Sequence, residues 1–192
     1  MSTSQRSQKI LWNLFGALMM GIGIWAMHFI AMVSLTFPIM VSYDIATTMV
    51  SILPVIFASS IVLWLMTLKT FSYYRLLIGG LLLGPSIGLM HYIGMTAMRL
   101  PAVMVHDMTL VYLSILIALI LAMVALKIQY GAINQNQYQF IIKKHLVSAV
   151  VMGLASSSMH YSAMTAMHFI LTLQNLTKPI KVNYSTWLIT TT

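Results

Sequence analysis

The chain of 192 residues is 60% hydrophobic and only 6% charged, with a mean hydropathy of +0.92, which excludes an ordinary soluble domain and makes lipid the solvent for most of it. Its net charge of +8 comes from Lys and Arg set singly or in pairs between apolar runs, a pattern that excludes a nucleic-acid-binding stripe and reads as topology information. Cysteine is absent, so disulfides and thiolate sites are excluded, and any soft-metal chemistry must draw on 18 methionines and six histidines.

The first nine residues are polar and carry Arg6 and Lys9, like the start of a signal peptide. The apolar run that follows, from Ile10 to about Phe37, is too long for a signal segment and has no small-residue cleavage site with a polar flank, so it is expected to remain as a spanning helix. Matching apolar runs to the bilayer thickness predicts five full spans, roughly Ile10–Leu35, Ile45–Leu68, Leu76–Met98, Thr109–Leu126 and Leu146–Leu171. Pro54 and Pro85 fall inside the second and third, where a membrane helix tolerates a kink. The last stretch, Tyr184–Thr192, is too short to cross, and a sixth span is expected to be cut short. The predicted fold is an all-α, polytopic transmembrane helical bundle, because only helices and closed barrels satisfy their backbone groups in lipid and these runs are too long for barrel strands.

Basic residues set the orientation. With the N-terminus inside, Arg6, Lys9, Lys69, Arg75, Lys127, Lys143 and Lys144 are cytoplasmic, and Arg99, Lys178 and Lys181 lie outside. This distribution favours a cytoplasmic N-terminus.

One motif recurs on the odd-numbered spans: Met27-His28-Phe29-Ile30-Ala31-Met32, Met90-His91-Tyr92-Ile93-Gly94-Met95 and Met159-His160-Tyr161-Ser162-Ala163-Met164 align without gaps. After the first two copies, Pro38 and Pro101 and then Asp44 and Asp107 follow at matching distances, each aspartate opening the next span. The repeating unit is therefore a helix pair, with units at about 10–70, 75–128 and 143–192 of a single domain covering 1–192. In the third unit the connection is longer, Asn183 takes the place of the aspartate, and the second helix is missing or short.

At about 100° per residue, each histidine shares a helix face with the methionine four positions later: His28 with Met32, His91 with Met95, His160 with Met164. Met98 and Met167 extend that face in two copies, where the first has Leu35. Seven residues before each histidine stands a glycine, Gly21, Gly84 or Gly153, and eleven before stand Ala17, Gly80 and Ala149. Such small residues are expected to let the three motif helices pack closely on one another. Three ionisable side chains in register inside a membrane are functional candidates by default. Imidazole with thioether is a soft donor set suited to copper, above all Cu(I), and poorly suited to Mg²⁺ or Ca²⁺. The expected metal ligands are His28, Met32, His91, Met95, His160 and Met164, with Met27, Met90, Met159, Met98, Met167 and His168 as further candidates. His106 and His145 lie near loops outside the pattern, and Trp25 and Trp187 read as interfacial belt residues.

The motifs MHFIAM, MHYIGMTAM and MHYSAMTAM resemble those of the MHYT family, bacterial integral membrane sensor domains, along essentially the full chain. The resemblance implies a domain of the bacterial cytoplasmic membrane whose His and Met residues near the outer face coordinate copper and detect O₂, CO or NO. It also implies a cytoplasmic output module such as a diguanylate cyclase or phosphodiesterase, which the 192 residues do not contain, so the expectation is a fragment of a longer protein, a chain that signals through a partner, or one with another job. Phe29 departs from the family pattern, which has tyrosine there. Two other functions compete: copper handling or transport, and a haem-binding electron-transfer protein with histidine axial ligands. Hydrolytic chemistry is disfavoured, since Asp44 and Asp107 are the only carboxylate side chains.

Overall fold

A computed structural model describes residues 3–35, 41–68, 72–99, 102–133, 138–171 and 179–180. The elements run α1 (Thr3–Val33), β1 (Ser42–Tyr43), α2 (Ile45–Val50), α3 (Leu53–Met66), α4 (Tyr73–Thr96), β2 (Met98–Arg99), β3 (Ala102–His106), α5 (Met108–Ile133), α6 (Tyr138–Thr165), β4 (Met167–Leu171) and β5 (Pro179–Ile180). Among the described residues, five segments are long and apolar enough to cross a membrane: Ser7–Val33, Ile45–Met66, Tyr73–Thr96, Met108–Gly131 and Gln139–Thr165. The result is an all-α bundle that faces its surroundings with large apolar side chains such as Trp12, Phe57 and Leu116, as a protein solvated by lipid must.

The prolines act differently from one another. Pro54 falls at the start of α3, just past the Ser51–Ile52 turn that separates it from α2, where a missing N–H costs least. Pro85 sits inside a continuous α4 and leaves the Leu81 carbonyl without its helical donor. The turn at Ser51 is held from outside, because the Trp25 indole N–H donates both to Thr48 O and to Ser51 Oγ, each at 3.1 Å. Trp25 is thus a half-buried clasp between α1 and the broken second span; Trp187 lies outside the described residues.

Most helix packing joins neighbours in the chain, α1 with α3, α3 with α4, α4 with α5 and α5 with α6, while α1 and α6 meet more sparsely across a cleft of about 610 Å³. Glycine decides two of these contacts. A Cβ at Gly84 would lie 2.6 Å from Leu119 Cα on α5, and one at Gly21 would lie 2.5 Å from Ile56 Cγ1 on α3. The expectation that the motif-helix glycines pack against one another is therefore corrected: Gly21 and Gly84 each receive the following helix of their own pair. Gly153 is exposed, lines the cleft and has no neighbour within 4 Å of an added Cβ.

Short strands cover one end of the bundle. Antiparallel pairing joins β1 to β2 (Tyr43 opposite Met98) and β3 to β4 (His106 opposite Met167), and β5 extends the second ribbon. This corrects the predicted ends of two spans. Met98 and Met167–Leu171 are strand rather than helix, because α4 and α6 stop at Thr96 and Thr165 and the chain turns back to pair with the connecting segments. At its other end α6 starts well before the predicted Leu146 and takes in Lys143 and Lys144, and Lys144 Nζ donates to Gly131 O at 2.7 Å.

The aspartates open helices as expected. The side chain of Asp44 accepts from Thr47 N at 2.9 Å, and that of Asp107 accepts from Thr109 N at 2.9 Å. The Asp44 backbone N–H donates to Ala97 O and that of Asp107 to Ala166 O, both at 2.8 Å, so each start is tied to the end of the next motif helix. Arg99 Nη2 reaches Asp44 Oδ2 at 2.7 Å across the β1–β2 ribbon. The third-unit counterpart Asn183, the residues Pro38, Pro101, Lys69, Lys178 and Lys181, and the expected short sixth span at Tyr184–Thr192 lie outside the described residues.

Candidate metal centre

The helices α1, α4 and α6 run parallel, and each carries its motif in the last turns before the strand-covered end. Phase then does the rest, since a residue facing the bundle axis on each helix meets its two counterparts. His28, His91 and His160 are 0%, 1% and 2% exposed and turn their Nδ1 atoms to a common point. The Nδ1 separations are 3.0 Å (His28 to His160), 3.2 Å (His91 to His28) and 3.3 Å (His160 to His91).

That triangle cannot be explained as hydrogen bonding alone. A ring nitrogen has one in-plane direction, filled by either a proton or a lone pair. Once one Nδ1–H donates to a second Nδ1, the third is left facing nitrogens whose only site is in use. A cation at the centre would accept all three lone pairs together. Nitrogens bound at about 2.0–2.1 Å in a tetrahedral or trigonal set stand roughly 3.3–3.6 Å apart, and the observed triangle is slightly smaller. The three rings can hold a metal ion.

The remaining nitrogens carry a cost. If Nδ1 gives its lone pair to an ion, Nε2 bears the proton, yet Nε2 of His28 and of His91 are buried without a hydrogen-bond partner. Each such orphan costs about 1–3 kcal/mol. These two nitrogens are unpaired with or without an ion, so hydrogen bonding at them does not stabilise the bundle. His28 is held on its far side by Gly94, where a Cβ would come within 2.7 Å of its Nε2 and 3.2 Å of Phe29 Cζ. Gly94 was not singled out by sequence reasoning; the signal was available, since the first and third copies have Ala31 and Ala163 at that place.

One turn along, Met32, Met95 and Met164 are buried together with Met98 and Met167 in a single cluster that closes the strand-covered end. Met90 and Met159 lie in a different apolar cluster with Ile24, Val55 and Ile87, and Met27 lines the cleft between α1 and α6. His168 is not brought to the centre. It stands on β4 opposite Val105, exposed, because strand alternation turns it away when Met167 turns in, whereas the predicted helix would have kept it on the histidine face. Phe29 stacks on Trp25 with centroids 4.8 Å apart, Tyr92 reaches Ser114 Oγ at 3.4 Å, and Tyr161 is exposed.

The chain matches the profile of the MHYT family, described as a bacterial signalling protein N-terminal repeat, over residues 21–79 and again over 84–138. It belongs to this family. MHYT domains are non-catalytic sensor modules, so this one is a membrane-associated signalling domain with a histidine-based metal-binding site. It is 37% identical over 84% of its length to the bifunctional diguanylate cyclase/cyclic di-GMP phosphodiesterase MucR of Pseudomonas aeruginosa, covering 23% of that protein. It is 35% identical over 83% of its length to the signaling protein YkoW of Bacillus subtilis, and 33% identical over 84% to the cyclic di-GMP phosphodiesterase NbdA of P. aeruginosa, covering 20% of each. The chain thus spans about a fifth of the length of these curated relatives. No solved structure matches it.

Proposed function

We propose that this MHYT domain is a copper-dependent sensor of the bacterial cytoplasmic membrane, with its histidine centre toward the outer face and a diatomic gas such as O₂, CO or NO as the ligand it detects. The triangle of Nδ1 atoms, 3.0–3.3 Å on a side and buried in a bundle, carries the reading. Three neutral imidazoles with a methionine layer one turn along form a soft set that suits Cu(I), with Met32, Met95 or Met164 as the fourth donor and the one a gas would displace. Copper transport is the weaker reading, because directly below the histidines, on the side away from the strands, Ile24, Val55 and Ile87 pack with Met90 and Met159 in an apolar cluster. A haem is disfavoured by three rings that converge on one point and leave no slot between them for a macrocycle.

Orientation follows from charge. Lys9, Arg75, Lys127, Lys143 and Lys144 all belong to the end opposite the strands, whereas Arg99 sits at the strand end, and the positive-inside bias then puts the centre outside. A change at the centre would be passed along α1, α4 and α6 to a cytoplasmic output unit, in the same chain or in a partner, of the cyclic di-GMP kind named for MucR and NbdA. A sixth membrane span, standing to α6 as α3 stands to α1, would fill the cleft beside Gly153.

The test is elemental analysis of the detergent-purified chain after Cu(I) loading and desalting, beside the triple variant His28→Ala, His91→Ala, His160→Ala. Copper in the parent, of which the variant lacks at least one equivalent, supports the centre; a folded parent that retains none sinks it.

A further inference from the structure

A second cavity, of about 260 Å³, opens between α4, β3 and the start of α5 and is lined by Tyr92, Met95, Met104, His106 and Met108. Its donors are graded by depth. Met108 is exposed, Met104 and His106 are half-buried, and Met95 is buried one turn from His91. Met104 also packs against the methionine cluster over the histidine centre.

The first repeat provides an internal control. His91 is 63 residues after His28, and the same offset places Val41, Tyr43 and Ile45 where the second repeat has Met104, His106 and Met108. The two sites correspond in space as well. Phe29 and Tyr43 pair edge-on with centroids 6.3 Å apart, and Tyr92 and His106 pair the same way at 5.7 Å. The fold is therefore built with three residues that offer no soft-metal donor in one repeat and with two thioethers and an imidazole in the other. Packing alone does not require that change.

From this we infer that Met104, His106 and Met108 form a second soft-metal site that takes Cu(I) at the bundle surface and hands it to the histidine centre by way of Met95. Thioether and imidazole favour that ion, and no carboxylate side chain lines the cavity to attract a hard cation. The entrance role rests on the histidine centre taking the same metal, whereas binding in the cavity does not.

The variant Met104→Val, His106→Tyr, Met108→Ile installs the side chains that the first repeat already packs at these positions. Cu(I) alone, added anaerobically to the whole chain in detergent, is titrated against a chromophoric chelator, and loading is followed by stopped flow. The intact chain is expected to hold two ions; the cavity variant should hold one and load it at least tenfold more slowly. The triple histidine-to-alanine variant should also hold one. A cavity variant that binds as many ions as the intact chain and loads as fast overturns the inference. If instead only the histidine variant keeps the full complement, the histidine centre is refuted and the surface site stands. Should the cavity variant not fold, His106→Tyr alone serves, with an expected loss of about tenfold in affinity for the second ion and none for the first; equal affinity for both would again overturn the proposal.

Discussion

Gly94→Ala is the sharpest test of the histidine centre, because the sequence and the structure predict opposite results. Alanine already occupies the matching place in the other two motifs, as Ala31 and Ala163, and it is the better helix former by about 1 kcal/mol, so pattern alone expects a neutral or stabilising change. In the structure the new Cβ would lie 2.7 Å from His28 Nε2, and ordinary contact begins at 3.4 Å, so the ring must retreat by about 0.7 Å. His28 is fully buried and Phe29 blocks one direction of escape, so the movement is transmitted to Nδ1. Metal–ligand distances tolerate only about 0.2 Å. The expected result is a loss of roughly 10- to 100-fold in metal affinity, comparable to removing a supporting group around a ligand, or about 1.4–2.8 kcal/mol. Competition between the chain and a chromophoric Cu(I) chelator measures it, with circular dichroism as the control for helix content. A variant that binds within about twofold of the parent would refute the claim that Gly94 sets the position of His28.

Other expectations follow from the same contacts. Gly84→Ala should destabilise the bundle by about 2–3 kcal/mol in denaturant titration, since the methyl would meet the Leu119 backbone rather than a movable side-chain tip, while Gly153→Ala should be neutral or stabilising by up to about 1 kcal/mol. Removing metal with a strong chelator should lower the melting temperature, and saturating Cu(I) at about 100 times Kd should restore about 2.7 kcal/mol; an unchanged melting curve would contradict a site that binds the folded state. The Asp44 carboxyl is held down from 3.8 to about 2, first by the Thr47 backbone N–H and then by Arg99. Its contribution is thus complete above its ordinary titration range and is lost as pH falls through about 2, so carbon NMR should find Asp44 ionised at pH 3. Arg99→Ala should raise that titration point only part of the way to 3.8, because the larger Thr47 contribution remains.

The spans and the histidine face were legible in the sequence for a simple reason. Lipid imposes a length on each helix, and 100° per residue then fixes which side chains share a face, as with His28 and Met32. What phase does not give is the neighbour that a face meets. Gly21 and Gly84 share their helix face with the histidines, but the residues that meet them, Ile56 and Leu119, belong to the following helix, and nothing in a single helix states that. The strands were hidden because Met98 and Met167–Leu171 are as apolar as the helices they follow, and only pairing across the chain, such as His106 with Met167, separates the two states. His168 moved out of the site for the same reason. His106, set aside as a loop residue, gains interest only when its place is compared with that of Tyr43.

The histidine triangle supplies three uncharged donors, and the two carboxylates of the chain are both engaged at helix starts, Asp44 also with Arg99. An ion settling there would keep its whole charge in a medium that screens little. The electrostatic self-energy of such a charge rises with the square of its valence, so a divalent ion would cost about four times as much as a monovalent one. The same three imidazoles that serve zinc beside water are thus biased, in this setting, by oxidation state more than by element. Losing one electron would make a resident ion a poor tenant unless an anion entered with it, and the centre would then respond to redox poise as well as to any ligand.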